Sequence, residues 1–324
     1  MKKNIYNDFE NTINSMNIPE SVRARLEQAL IHMRNQELNI LITGATGCGK
    51  SSTINAMFGE KVAKVGVGVD PETMDIKKYP LGNMILWDSP GLGDGKEADN
   101  RHAKNIIKKL AETDENGNAL IDLVLVILDA SSKDLGTSYE LINSVIIPNF
   151  PKDRILIAIN QADMAMKGKH WNEAENKPDE ILESYLNDKA DSIRSRIHKS
   201  TGVDVETIYY SAGYTDENIQ MPPYNLTKLF SYILRMTPTE KRLAYCDNIN
   251  NDKEMWKHND ELEDYSTQIR SSFMETVKEF ARQGAGIGET IGETFGAVGR
   301  FVGRAAGTVV GGLVGALGSI FDLF

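Results

Sequence analysis

Short apolar runs alternate with longer stretches of helical pattern from residue 38 onward. The runs are LNILIT (38–43), NMILWD (83–88), LVLVILD (123–129), ILIAIN (155–160) and TIYYSA (207–212). Runs of Val, Ile and Leu of this length, separated by helices, are typical of strands buried on both faces of a mostly parallel sheet. The pattern therefore predicts an α/β fold with helices on both faces, whose ligand lies beyond the carboxyl ends of the strands.

The flanking patterns divide the rest of the chain. Residues 4–36 predict two helices broken at Pro19, and a later helix is expected to start at an Asn225 cap and to stop before Pro238. The predicted segments are N-terminal helices at 1–36, the α/β domain at 37–240, a polar, solvated helical connector at 241–283 and a glycine-repeat tail at 284–324.

Composition narrows the class of protein. The chain has 324 residues, 41% of them hydrophobic and 25% charged, which suits a folded globular core. Its net charge of −10 argues against non-specific nucleic-acid binding. Two cysteines, Cys48 and Cys246, cannot form a disulfide framework. No apolar run follows the N-terminal lysines, so we predict a cytoplasmic protein.

The segment after the first predicted strand matches GxxxxGK[ST], the phosphate-binding loop of P-loop proteins. Its glycines let backbone N–H groups converge on phosphate oxygens at a helix N-terminus. Lys50 is expected to contact the β and γ phosphates and act in catalysis, and Ser51 to bind Mg²⁺. The predicted phosphate-binding residues are Gly44, Ala45, Thr46, Gly47, Cys48, Gly49, Lys50, Ser51 and Ser52. For Cys48 we favour a small packing residue over a redox role.

Two further elements are expected to complete the phosphate site. Asp88 and Gly91 form a DxxG element after the second predicted strand, where the carboxylate would hold Mg²⁺ and the Gly91 N–H would contact the γ phosphate. Thr73 lies upstream in a segment rich in Gly and Pro, and is the predicted metal ligand and γ-phosphate sensor. The alternative for Thr73 is a capping residue of an edge strand.

Two short sequence motifs indicate that the base of the bound nucleotide is guanine rather than adenine. Asn160, Gln161 and Asp163 follow the fourth predicted strand, and a carboxylate there can accept both N–H groups of the guanine edge. Ser211, Ala212 and Gly213 follow the fifth predicted strand, as in the SA box whose backbone N–H meets the guanine oxygen. A helix cap is the alternative for Asn160 and Asp163. Gln161 stands where a lysine is usual, so we expect weaker affinity. We assign no metal or catalytic role to His102 or His170.

The stretches WDSPGLGDG, NQADMA, KGKHW and YYSAGY resemble the TrmE-Era-like branch, also called the 50S ribosome-binding GTPase family, and within it the YfjP-type prophage GTPases. The resemblance spans residues 20–242. It implies a Ras-like P-loop GTPase domain that binds GTP or GDP with Mg²⁺. A ribosome or rRNA partner is implied by the family name alone.

Hydrolysis is expected to be slow. Leu92 stands where Ras-like proteins carry the glutamine that orients water, so the unaided rate should lie at or below roughly 10⁻⁴ per second. An activating partner or a dimer would have to supply the missing group. Arg101 is more simply a solvated helix charge than an arginine finger.

The tail repeats a glycine about every four residues, so on a helix its glycines form one close-packing stripe. Residues 305–321 carry no charge, and as a helix they would reach about 26 Å, short of the roughly 30 Å hydrocarbon core. We favour membrane contact, peripheral or integral at the inner membrane, as a hairpin or oligomer. The alternative is a helix packed on its own domain or in a soluble oligomer.

These patterns predict a GTP-hydrolysing molecular switch with slow, Mg²⁺-dependent turnover. The alternative is a nucleotide-gated membrane or oligomerisation module with negligible turnover.

Overall fold

The computed structural model describes residues 4–59, 76–91, 95–216, 219–285 and 297–324. The described strands are β1 Leu38–Gly44, β2 Lys77–Leu81, β3 Met84–Asp88, β4 Leu123–Asp129, β5 Ile155–Asn160, β6 Trp171–Asn172, β7 Lys177–Pro178, β8 Glu206–Tyr209, β9 Tyr214–Asp216 and β10 Ile219–Met221. Six of them form one sheet in the order β2-β3-β1-β4-β5-β8.

The sheet is parallel except at one edge. Strands β3, β1, β4, β5 and β8 pair in parallel, which confirms the predicted α/β sheet, while β2 pairs antiparallel with β3. The sequence pattern missed β2 because its sequence, KKYPL, is polar and only half-buried. Pro80 is compatible with its edge position, where no second neighbour needs the missing N–H. The predicted fifth strand is shorter than expected, since regular pairing ends at Tyr209 and Ser211 forms an isolated bridge with Tyr224.

The described helices lie on both faces of this sheet. They are α1 Ile5–Ser15, α2 Glu20–Asn35, α3 Lys50–Phe58, α4 Lys96–Leu110, α5 Gly136–Leu141, α6 Glu180–Thr201, α7 Leu226–Met236, α8 Tyr265–Ala285, α9 Ala297–Ala316 and α10 Gly318–Phe321. A π-helical turn, Ile142–Ile146, extends α5, and short 3₁₀ helices are Ile147–Asn149, Lys152–Arg154, Ala162–Gly168, Thr239–Tyr245 and Lys253–Trp256.

Each central strand contributes alternate residues to two apolar cores. In β4, Leu123, Leu125 and Ile127 belong to the core that includes α3, α7 and the terminal helices. Val124, Val126 and Leu128 belong to the other, with α4, the π-helical turn and α6. Both faces of the strand are buried, as its continuous apolar run predicts.

We predicted that residues 241–283 form a solvated polar connector. This prediction is wrong in one respect, because the helix in this segment is not solvated on all sides. Helix α8 packs on α2, α7 and α9. Its residues Ile269, Phe273 and Val277 are fully buried, spaced at one helical turn. Polar and charged residues such as Arg270 and Glu275 separate the positions of this stripe along the sequence and concealed it there.

Helix α7 begins after Asn225, as predicted, but Asn225 does not cap the helix with its side chain. The residue has a φ of 58°, and its side-chain N–H group donates to Tyr209 O and to Asp260. The helix therefore begins at a residue whose side chain connects β8 to the segment before α8.

The described part of the tail packs on the chain itself. Val309 and Leu313 of α9 and Leu317, which follows it, are buried, and α9 contacts α1 and α8. The ring of Phe324 stacks on Phe230 at 5.6 Å between centroids. Packing on the chain's own helices corresponds to the alternative stated for the tail. Among the described residues, no helix has the length and apolarity needed to cross a bilayer. The tail glycines between 286 and 296 lie outside the described residues.

Candidate functional site

The loop between β1 and α3 has a conformation that depends on glycine. Gly44, Gly47 and Gly49 have φ angles of 149°, 80° and 89°, a region that other L residues rarely adopt. A Cβ on Gly44 would collide with the carbonyl oxygen of Ile127, and one on Gly49 with the side-chain amide of Asn160. The loop can therefore approach β4 and β5 only with glycine at these two positions.

Lys50 is the first residue of α3, and its ammonium group turns back over the loop. Its Nζ donates to the carbonyl oxygens of Gly44 at 3.2 Å and Ala45 at 3.1 Å. Ser51 and Ser52 are exposed in the first turn, where helix N–H groups have no intrahelical acceptor. The positive helix end, the ammonium group and two exposed hydroxyls together suit a phosphate group.

Cys48 is the buried residue of this loop. It is 1% exposed, and burial raises the pKa of its thiol, an effect that Lys50 opposes. Its backbone carbonyl accepts a hydrogen bond from Asn160. These contacts suit the packing role favoured from the sequence.

Asp88 ends β3 directly opposite Ile42 of β1. Burial raises the pKa of its carboxyl, while Lys50 and Lys77 lower it. Its Oδ1 is buried without a hydrogen-bond partner among the described residues. A buried carboxylate oxygen without a donor fits a position that a cation or its bound water would complete. Mg²⁺ needs only one or two carboxylates when substrate phosphates and water fill the rest of its shell, so Asp88 and Ser51 fit that ion.

The DxxG element meets the phosphate loop through its glycine. A Cβ on Gly91 would overlap the backbone and hydroxyl of Thr46. Ser89, within the same element, donates from its backbone N–H to Ile42 O, and its hydroxyl bonds Thr43 at 2.7 Å. The two loops are thus in direct backbone contact at the end of β1, where the sequence placed a phosphate site.

Asn160 joins three loops. Its side chain is 2% exposed, its Nδ2 donates to Cys48 O at 3.0 Å, and its Oδ1 accepts from the Ala212 N–H at 2.9 Å. Both polar ends are therefore used within the protein. This position ties the phosphate loop to the two loops predicted to hold the base.

Asp163 lies next to Ser211, whose hydroxyl donates to Asp163 Oδ1 at 2.6 Å. The Ser211 Oγ also accepts from the Gly213 N–H at 3.2 Å. No hydrogen bond within the described residues engages the second carboxylate oxygen of Asp163. Gly213 has a φ of 69° and lies so close to Met221 that a Cβ would collide with its carbonyl.

Gln161 does more than replace a usual lysine. It has a left-handed φ of 62°, and its Nε2 donates to Gly47 O at 2.9 Å. The side chain therefore spans from the predicted base site to the tip of the phosphate loop.

The predicted residues that the structure describes thus gather at the carboxyl ends of β1, β3 and β5 and after β8. Thr73 and Leu92 lie outside the described residues, and their roles stay predictions. Arg101 is exposed on α4.

Sequence reasoning missed the fully buried Tyr210, whose hydroxyl shares a 2.6 Å hydrogen bond with Thr53 of α3. In the sequence, the only sign of this contact was Thr53, a residue with a hydroxyl three positions after Lys50.

The chain is similar in sequence to known GTPases. Residues 39–161 match the family model described as "50S ribosome-binding GTPase". Interferon-gamma-inducible GTPase 10 of Mus musculus is 25% identical over 69% of this chain and 49% of its own length. Protein YfjP of Escherichia coli K12 is 30% identical over 46% of this chain and 50% of its own length.

Among solved structures, Toc33 from Arabidopsis thaliana in complex with GDP and Mg²⁺ aligns with a TM-score of 0.43 and 18% identity, over 76% of this chain and 100% of that one. The chain spans about half the length, or less, of the curated relatives named here.

Proposed function

Residues 39–161 are a domain of the 50S ribosome-binding GTPase family, and on that premise we propose that the chain is a molecular switch that binds and hydrolyses GTP. The observation that carries the proposal is the network around Asn160, which joins the phosphate loop to the Ala212 loop beside Asp163. One buried amide thus sets the distance between the site for phosphate and the site for the base.

On the phosphate side, Lys50 exchanges its two carbonyl acceptors for β and γ phosphate oxygens, and the first turn of α3 donates backbone N–H groups. Ser51 and Asp88 are the residues that would hold Mg²⁺, which neutralises developing charge on the phosphates. Gly91 lies against Thr46 of the phosphate loop, which supports its proposed contact with the γ phosphate. We propose Thr73 as the γ-phosphate sensor, as the sequence suggests.

On the base side, Asp163 selects guanine. Ser211 holds one carboxylate oxygen, and a carboxylate so oriented can accept the N1–H and the amino group of guanine, which adenine cannot supply. The Gly213 N–H, whose hydrogen bond to the Ser211 Oγ is long at 3.2 Å, is the proposed donor for the guanine oxygen.

Turnover is proposed to be slow, since Leu92 offers no group to orient water. An activating partner or second copy would supply the missing group. A ribosomal partner rests on the family description alone.

Calorimetry and single-turnover phosphate release test the proposal together. GTP and GDP with Mg²⁺ should bind, ATP should bind at least about tenfold more weakly, and Lys50→Ala should lose triphosphate binding. Lys108→Ala is the matched control, because Lys108 is an exposed lysine on α4. Equal affinity for ATP and GTP would contradict the guanine assignment. Tight GTP binding without any phosphate release would favour the second candidate below.

The second candidate is a nucleotide-gated module that associates with a membrane or another copy through residues 284–324. The supporting observation is that no atom of the described residues lies near the position of a Cβ added to Gly307, Gly311 or Gly315 of α9. These glycines leave a small-residue face open to close approach by another helix.

Liposome flotation and sedimentation velocity, each with GTP and GDP, test this candidate. Gly311→Leu should reduce association without disturbing the fold, because the position opens on free space. Association that is absent with both nucleotides, or unaffected by Gly311→Leu, would contradict a role for this face.

A further inference from the structure

Tyr210 connects the predicted base site to the helix that follows the phosphate loop. It lies between β8 and Ser211, and it is fully buried. Its hydroxyl lies 2.6 Å from the Oγ1 of Thr53, a residue of α3 that is 1% exposed. The contact joins positions 157 residues apart in the chain. A buried hydrogen bond over this separation fixes the position of α3 relative to the end of β8.

The backbone of Tyr210 belongs to the base side of this contact. Its N–H donates to Ile159 O at 2.8 Å, and its carbonyl accepts from the Ala162 N–H at 3.2 Å. These two partners stand on either side of Asn160 in the sequence, just before Asp163. Tyr210 is therefore fixed to both of the loops that are predicted to hold guanine.

Thr53 belongs to the phosphate side. Its Oγ1 and its backbone N–H both donate to the carbonyl oxygen of Gly49, each at 2.9 Å. A threonine bond to the carbonyl four residues earlier is common in helices. The Thr53 hydroxyl has one hydrogen, which Gly49 receives, so this hydroxyl accepts the hydrogen of Tyr210. We call this pair of bonds, from Tyr210 through Thr53 to Gly49, the hydroxyl relay.

The Gly49 carbonyl determines the direction of a phosphate donor. In a planar trans peptide the C=O and N–H bonds point in opposite directions, so the bonds that hold this carbonyl also direct the Lys50 N–H. That N–H lies in the first turn of α3, where it has no intrahelical acceptor and suits a phosphate oxygen. The preceding carbonyl, of Cys48, accepts from Asn160. Two consecutive peptide groups of the phosphate loop are therefore connected to the base side.

The hydroxyl relay does not depend on pH near neutrality. Burial raises the pKa of Tyr210, and its hydrogen bond with Thr53 opposes this only in part. The hydroxyl therefore stays protonated and remains a donor. The role of the relay is accordingly geometric.

We propose that Tyr210 is a positioning residue that, together with Asn160, sets the separation between the guanine site and the phosphate loop. A nucleotide contacts both sites at once, and it gains most affinity over its separate parts when the protein already holds the sites at the length of the ligand. Loss of the hydroxyl relay therefore weakens a ligand that spans both sites more than a ligand that occupies one. This inference rests on the proposed GTP-binding function.

The test is displacement of a GDP analogue, labelled with a fluorescent group on its ribose, from the full-length protein by GDP, guanosine or pyrophosphate. In Tyr210→Phe, which keeps the ring, GDP should bind about tenfold more weakly. Guanosine and pyrophosphate should each change by less than about twofold, because each occupies one site. A residue with a purely structural role would not produce this difference between ligands.

Two substitutions of Thr53 examine the other end of the relay. Thr53→Val should weaken GDP binding at least as much as Tyr210→Phe, because it removes both bonds of the relay. The double variant should bind GDP no more weakly than Thr53→Val alone, since the two side chains act through one contact. Thr53→Ser keeps the hydroxyl and should keep the GDP affinity of the parent protein.

Tyr245→Phe is the matched control. Tyr245 is also fully buried, and its hydroxyl lies 2.9 Å from the Oγ1 of Thr237, which donates to Ile233 O four residues earlier. The arrangement has the same chemistry as the hydroxyl relay, but it lies at the end of α7 and includes no residue of a predicted nucleotide loop. Tyr245→Phe should therefore leave GDP affinity unchanged.

Three results would overturn the inference alone: unchanged GDP affinity in Tyr210→Phe; equal weakening of GDP in Tyr245→Phe, which would indicate general destabilisation; and a loss of guanosine or pyrophosphate affinity as large as the loss for GDP. Absence of GDP binding by the parent protein would instead overturn the proposed function, and this inference with it. If Tyr210→Phe fails to fold, Thr53→Val and Thr53→Ser decide the question, because equal GDP affinity in these two variants would also contradict the relay.

Discussion

The phosphate loop and the tail are both rich in glycine, but glycine serves different ends in them. In the loop, Gly44 and Gly49 have left-handed backbone angles and no room for a Cβ. In the described tail, Gly311 and Gly315 are helical and face open space. The loop requires glycine for its own conformation, whereas the tail helix would form more readily without it.

The two regions also differ in what they contribute to stability. Within the described part of the chain, the loop edge keeps a buried Asp88 oxygen without a hydrogen-bond donor, and Lys50 donates to two backbone carbonyls. The tail buries large side chains such as Leu313 on the helices beside it. The first region is arranged for a ligand at a cost in stability, and the second stabilises the folded chain. The following substitutions test this contrast.

Leu313→Ala should have the largest effect. Leu313 of α9 is fully buried, and removing such a side chain lowers the free energy of unfolding by about 2–5 kcal/mol. Urea unfolding measures the change, and Asp322→Asn, at an exposed position nearby, is the control. Unchanged stability would show that the tail does not dock on α1 and α8 in solution.

Gly49→Ala should destabilise the phosphate loop by about 1–3 kcal/mol and abolish nucleotide binding. The reason is a φ of 89° together with the collision with Asn160. Gly47→Ala is the matched control, with a φ of 80° but no atom near the added Cβ. If both variants bind GDP equally in calorimetry, the contact with Asn160 does not shape the loop.

Ser211→Ala should weaken GDP binding about tenfold, because Asp163 loses the hydrogen bond that orients it. Binding of ATP should not change. Ser231→Ala removes another buried hydroxyl, bonded to Lys228 O, and should leave GDP affinity intact. A loss of GDP affinity in Ser231→Ala as well would point to general destabilisation.

Asp88→Asn should stabilise the nucleotide-free chain at neutral pH while removing Mg²⁺-dependent GTP binding. Burial raises the folded-state pKa of Asp88, so its favourable contribution is present at low pH and is lost as pH rises through that pKa. The gain from Asn should therefore shrink as the pH is lowered. Thermal unfolding at several pH values measures it, and a gain that grows toward acidic pH would contradict the assignment.

Gly311→Ala should have the smallest effect, a stabilisation of about 0.5–1 kcal/mol from lower unfolded-state entropy and better helix propensity. Gly312→Ala should gain less, because its Cβ would meet Met16 and Thr12. Thermal unfolding of the two variants compares them. A destabilised Gly311→Ala variant would mean that another surface occupies the open face.

Local sequence determined much of this protein. Continuous apolar runs placed β1, β3, β4 and β5 within a residue of their observed bounds, because a strand buried on both faces leaves that pattern whatever its neighbours. The phosphate loop could also be predicted, since the backbone geometry that requires its glycines lies within eight consecutive residues. Edge strand β2 could not be predicted, because its half-buried pattern resembles a polar loop.

Only the tertiary structure decided how distant segments meet. Asn160 bonds the carbonyl of a residue 112 positions away, and Arg25 bonds the carbonyl of Gly284, 259 positions away. It also decided that the apolar stripe of helix α8 is buried and that the described tail packs on α1. The physical reason is that periodicity along a chain reports which side of an element is apolar, whereas the partner of that side depends on chain segments far away in sequence.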